Sequence, residues 1–250
     1  MKKSRFFPAL LCVGLLFVIL PTAAKAAMWD VPVAPGESFR WVFVTSTTTD
    51  ATSDDIGYYN NFVNAAADAA DTPISGVVGK TSIADIEWKA IASTYNGNVM
   101  VHAIDNIGDS SVGIYTPMAA LVAYGTTDLF DGIQGTPLWS VIEVTEEGVF
   151  GGGMVWTGTD PLGLASGGGL LALGCTIGGG LGATYGWSSC VGEGLWVDWI
   201  FPGSNRGYKP LYAISEDLIV VPVPGALILA ATGLMSSTLG LKRLRRKHQE

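Results

Sequence analysis

Apolar positions divide the chain into two uninterrupted runs near its ends and a middle of short, changing patterns. In the middle, Phe39–Ser46 is dense in β-branched and aromatic residues and predicts a strand. A Thr/Asp/Ser-rich loop follows to Asp54. Ile56, Tyr59, Phe62, Val63, Ala66, Ala67 and Ala70 then recur at the helical period, which predicts one helix over Asp54–Ala70 with a single apolar face. Ser53 or Asp54 is the expected cap, because a side-chain oxygen there satisfies a free N–H of the first turn. Downstream the pattern predicts short strands. Ile86–Thr94 and Val99–Ile104 flank an Asn96-Gly97-Asn98 turn, and a short apolar stretch, Ile114–Tyr124, follows. Val155–Thr159, Trp196–Ile200 and Leu211–Ser215 read as later strands, while the glycines crowding 163–194 predict long packed loops. One helix among many short strands predicts an α+β domain with no internal repeat.

The two apolar runs at the ends read as targeting segments. Lys2, Lys3 and Arg5 precede an uncharged run from Phe6 to Leu20, and Ala24 and Ala26 supply the small side chains a signal peptidase needs. Cleavage is expected after Ala26, and the 15-residue run is too short to span a bilayer comfortably. At the other end no charge occurs from Leu218 to Leu241, and Lys242, Arg243, Arg245, Arg246 and Lys247 follow at once. Gly225–Leu241 has 17 residues, the short end of a transmembrane helix, with the basic cluster as a cytoplasmic stop. A buried C-terminal helix of a soluble domain is the competing reading, and five cations behind the run count against it.

Charge sharpens this division. The chain has 14 basic and 22 acidic residues; once four basic residues before residue 27 and five basic plus Glu250 after Leu241 are set aside, the middle keeps five and 21, a net of −16. An acidic middle excludes a phosphate-binding surface, so nucleic acid is not an expected partner. Charged residues make up only 14% and glycine 33 of 250 positions, with mean hydropathy +0.37, a composition that excludes a disordered chain.

Val221-Pro222-Val223-Pro224, then an apolar helix with small residues, then a basic terminus, resembles the PEP-CTERM sorting signal of Gram-negative bacteria. Here Val223 stands where Glu is commonest, closer to the Val-Pro-Leu-Pro variant. The resemblance implies an exosortase-type membrane protease as partner, a cut near the Pro motif, and delivery to the cell surface or exopolysaccharide layer. The middle is similar to a bacterial family of secreted C-type-lectin-like domains, through Phe43–Ser46, Trp88–Thr94, Asp128–Gly132, Trp156–Thr159 and Leu211–Tyr212. Calcium-dependent sugar binding is not implied, since no Glu-Pro-Asn or Gln-Pro-Asp loop is present and Trp196-Val197-Asp198 has Val at the ligating Asn position. The expected organisation is a signal peptide over 1–26, an exported domain over 27–217 and a sorting signal over 218–250.

Candidate chemistry is sparse. With Cys12 lost with the signal, Cys175 and Cys190 read as a disulfide in an oxidising compartment, closing a loop of about 15 residues for roughly 3 kcal/mol. A Cys190 nucleophile with His102 as base is the sharper alternative. Glu143 with Glu146 or Glu147 offers an acid–base pair for glycoside cleavage, against the reading of a solvated acidic surface. Asp50–Asp55 and Asp105–Asp109 lack calcium-loop spacing, Gly76–Thr81 is half a phosphate loop and reads as a turn, and no metal, cofactor or catalytic residue is assigned. Trp139, Trp156, Trp187, Trp196 and Trp199 are either core or a surface on which polysaccharide stacks. The expectation is a non-enzymatic structural or binding protein of the cell surface or biofilm matrix, with a secreted polysaccharide hydrolase as the alternative. Without a sorting protease, the tail is expected to remain a permanent anchor.

Overall fold

The structure, a computed structural model, describes residues 29–132, 137–176, 182–192, 194–199 and 202–222. The expected signal with Ala24 and Ala26, the Val223-Pro224 half of the sorting motif, the Gly225–Leu241 helix and the basic stop all lie outside these residues. What is described is α+β. A sheet is ordered β2 (Trp88–Ala90), β9 (Tyr212–Ser215), β1 (Ser38–Val44), β5 (Gly113–Tyr115), β6 (Leu121–Tyr124), with β10 (Leu218–Ile219) also pairing β1. Two short antiparallel ladders, β3 (Thr94–Tyr95) with β4 (Met100–Val101) and β7 (Met154–Trp156) with β8 (Tyr185–Trp187), stand outside it. β1 runs antiparallel to β9 and β10 and parallel to β5, so it sits at the centre.

The alternation of β1 distributes its side chains between two cores. Phe39, Trp41 and Phe43 enter one cluster, where the helix α1 (Ile56–Ala70) packs Tyr59, Val63 and Ala67. Val42 and Val44 enter the other, with Ala103 and Ile107 of the short helix α2 (Ala103–Ile107) and Leu129 of α3 (Thr126–Leu129). The expected apolar face of α1 is the buried one, with Ile56, Phe62 and Ala70 partly buried at its margin. The cap is Asp55 rather than Ser53 or Asp54: its Oδ1 accepts from Gly57 N at 2.8 Å, while Ser53 Oγ accepts from Asp55 N.

β2 is an edge strand whose free side is closed by amide side chains. Asn64, one turn after Asn60, accepts from Trp88 N and donates to Trp88 O, while Asn60 accepts from Ala90 N and Asn106 donates to Ala90 O. Edge backbone groups therefore find partners without another strand.

Three expectations about elements and boundaries fail. The expected strand Val99–Ile104 stops at Val101 and α2 begins at Ala103, because Ala103 N donates to buried Ser93 Oγ instead of entering a ladder. The expected strand Trp196–Ile200 is a turn up to Val197: Val197 N and Asp198 N both donate to Gly194 O. The domain also continues past residue 217. β10 pairs with Ser38 and Phe39, Val220 is buried, and Val221 N donates to Gly76 O at 2.7 Å. Among the glycines expected to form loops, Gly186 lies inside β8, where an added Cβ would run into the Trp196 carbonyl.

The disulfide expectation is also corrected: Cys175 and Cys190 are both free thiols. Gly174 ties the Cys175 segment to Ala51 O, on the α1 side of the sheet. Cys190 lies in the turn closed on Trp187 O, within electrostatic reach of Tyr212, which belongs to the other core.

Candidate binding surface

The aromatic set separates once it is folded. Trp156 is fully buried at the end of β7, donates Nε1 to Gly207 O, and carries Lys209 Nζ 4.0 Å above its ring. Burial lowers the pKa of that Lys209 ammonium. Trp196 is buried in the second core, stacked on Phe130 at 5.8 Å and tilted against Tyr212. These two tryptophans are structural.

Of the remaining three, Trp139 stands outward, while Trp187 and Trp199 are partly buried and Trp199 packs against the first core. Trp139 is 63% exposed and packs edge-on against Tyr124, itself 60% exposed, with ring centroids 5.8 Å apart. Both are held by backbone. Tyr124 ends the edge strand β6 with its N–H on Asp128 Oδ2 at 2.6 Å, and Trp139 N donates to Val122 O of the same strand. A T-shaped pair on a fixed edge leaves ring faces free for an apolar sugar face, at little entropic cost. Half-exposed Trp187 and Trp199 form a second pair at 5.5 Å, oriented by Trp187 Nε1 on Ser189 Oγ and by Trp199 N on Tyr185 O. A hydrogen bond from Leu138 N to Val191 O joins the segments that carry the two pairs.

Asp198 lies one residue before Trp199. Its pKa is pushed up to about 6, first by burial and then by the negative charge of Asp160. Asp160 is already committed locally, its Oδ1 accepting from Leu162 N and Leu164 N. Among the described residues no group of three or more His, Cys, Asp or Glu side chains is arranged to hold a metal ion.

The expected acid–base residues meet a different fate. Glu146 is 2% exposed, and its carboxylate accepts from Ser46 N at 2.8 Å and from Ser46 Oγ at 2.5 Å. Its carbonyl accepts from Trp29 Nε1 and Thr72 Oγ1. Glu146 and exposed Glu147 border a cleft of about 310 Å³, whose other wall is Phe62, Ala65, Ala66, Ala69 and Ala70 of α1. Glu143 does not line it. The polar groups of this cleft are those of Ser46, Thr47, Glu146 and Glu147, opposite the apolar α1 wall. His102 sits at the start of α2 and its Nδ1 accepts from Ala165 N at 2.9 Å, with no hydrogen bond to Cys190. Asp50 closes a local turn on Thr52, and Gly76 and Gly79 both take positive φ in the expected turn, with Lys80 donating to Glu216 at 2.6 Å.

Sequence reading missed four residues that the structure brings forward. Tyr124 was hidden at the end of an apolar stretch, and Asn60 and Asn64 fall outside the apolar period by which the helix was read. Trp29 looked like the first residues after a cleavage site, yet it is 2% exposed and contacts Trp41, Phe43 and Trp88 edge-on. No protein-family model and no curated protein matches the chain.

Proposed function

We propose that the chain is an exported, non-enzymatic protein of the cell surface or biofilm matrix, with a C-type-lectin-like domain that binds extracellular polysaccharide through its exposed aromatic pairs. The observation that carries the binding role is the Tyr124–Trp139 pair fixed on a sheet edge with most of both rings in solvent. The exported layout is supported by how fully the fold uses the chain. Trp29 is core three residues after Ala26, and Val221 is hydrogen-bonded one residue before Pro222. The sorting signal that follows is read by an exosortase-type protease after the C-terminal helix has halted export, and the cell envelope is the destination.

Affinity electrophoresis in gels containing the host's own matrix polysaccharide tests the binding role. The wild-type protein is expected to be retarded, and Trp139→Ala, which removes an exposed ring, to migrate as in a gel without polysaccharide. Equal retardation of both proteins refutes the platform. Of the glutamates expected to act in a hydrolase, Glu146 and Glu147 stand beside the α1 cleft. Because Glu146 is engaged by Ser46, Glu146→Gln is expected to lower stability without removing any polysaccharide-degrading activity.

A further inference from the structure

Leu218–Val220, just before the sorting motif, and Val221, its first residue, are held by neighbours from two sides. On one side β10 pairs with β1, with Ser38 opposite Ile219 and Phe39 opposite Leu218, and Val220 N donates to Glu37 O at 3.0 Å. On the other, Val78 N donates to Ile219 O at 2.9 Å, Val220 bridges Val77, and Val221 N donates to Gly76 O. Leu218 and Val220 point into the first core, 2% and 5% exposed. Pro222 is exposed and has no N–H to bond.

Proteases take a peptide as an added extended strand, forming main-chain hydrogen bonds along its edges. Ile219 and Val220 are paired on both edges, Leu218 on the β1 edge and Val221 on the 76–78 edge, so no free run of edge is left for a protease to pair with. From these contacts we infer that β10 acts as a latch that fixes the processing site: cleavage of the native protein is confined to bonds from Pro222–Val223 onward, and the released domain keeps Leu218–Pro222. The inference deepens the sorting reading and rests on it for the identity of the natural protease. The step is hydrolysis of one peptide bond by water, leaving a new carboxylate on the domain and a new ammonium on the tail. A cut upstream of Pro222 requires β10 to leave the sheet and expose Leu218 and Val220, a local opening that folded strands resist. Pro222, exposed and with no N–H to enter a ladder, is thus the first position where an enzyme gains access.

Two measurements separate the latch from the sorting reading. Intact mass of the protein recovered from native culture is expected to show a C-terminus at or beyond Pro222 and before Lys242; a mature species ending within 217–221 overturns the latch. Recovery of every copy with Lys242–Glu250 attached refutes sorting, and digestion then decides the latch. Brief treatment of the folded full chain with a broad-specificity protease is expected to give no C-terminus within 217–221, and early products ending there overturn the inference. Leu218→Ala, which empties part of the β10 seat, is expected to speed cutting within 217–221 by about tenfold through easier local opening. An unchanged rate in that variant, with circular dichroism showing the sheet retained, also overturns it.

Discussion

Replacing Trp29 by alanine removes the side chain on which the aromatic core closes. Trp29 meets Trp41 at 5.1 Å, Trp88 at 5.7 Å and Phe43 at 5.8 Å, all edge-on, and is 2% exposed. Truncating a buried tryptophan to alanine costs about 3–5 kcal/mol, through lost transfer energy and the cavity left behind. The lost hydrogen bond to Glu146 O adds little, since Thr72 Oγ1 still donates to that carbonyl at 3.2 Å. Rigid aromatic walls on three sides cannot collapse inward, which places the cost near about 4 kcal/mol. With a urea slope of about 2–3 kcal/mol per molar, the midpoint is expected to fall by about 1.5–2 M. Trp29→Phe keeps most of the ring contact and is expected to lose about 0.5 M. Far-UV circular dichroism during urea titration reads both without depending on the removed fluorophore. If Trp29→Ala shifts the midpoint no more than Trp29→Phe does, the claim that Trp29 closes the aromatic core is refuted.

Other expectations follow from single contacts. Alkylation of the denatured, unreduced protein should label both Cys175 and Cys190; labelling that requires prior reduction would show a disulfide and overturn their assignment as free thiols. Asp198 ionises near 6 in the fold against about 3.9 unfolded, so the folded state pays an ionisation penalty that is absent below about pH 4 and complete above about pH 6. Asp198→Asn should therefore gain stability relative to wild type as pH rises from 4 to 7, by about 1 kcal/mol after screening at this partly exposed site, and a pH-independent difference in denaturation midpoints contradicts that. Gly186→Ala forces a Cβ onto the Trp196 carbonyl and should cost about 1–3 kcal/mol, measured by thermal melting. Asn64→Ala strands the N–H and carbonyl of Trp88 at the sheet edge and should cost about 1–3 kcal/mol, with faster amide exchange at Trp88 as its signature.

Elements that rest on neighbouring residues were legible in the chain. The helical period of Tyr59, Val63, Ala66 and Ala67 and the aromatic density of Phe39–Val44 each name an element without reference to anything distant, and both are present. The acidic middle between basic ends is likewise a property of order alone. Elements that depend on a distant partner were not legible. Leu218–Val221 has the composition of the apolar tail it precedes, and only pairing with Ser38, Phe39 and the 76–78 segment makes it part of the domain. Val99–Ile104 has strand composition throughout, but a buried hydroxyl at Ser93 turns it into a helix after Val101. The five tryptophans show the division most plainly. Their residue type says that each needs apolar contact, and it says nothing about which face receives it. Packing sends Trp156 and Trp196 into the cores and leaves Trp139 with Tyr124 on an edge, because burial is decided by which surfaces the sheet brings together across more than a hundred residues of chain.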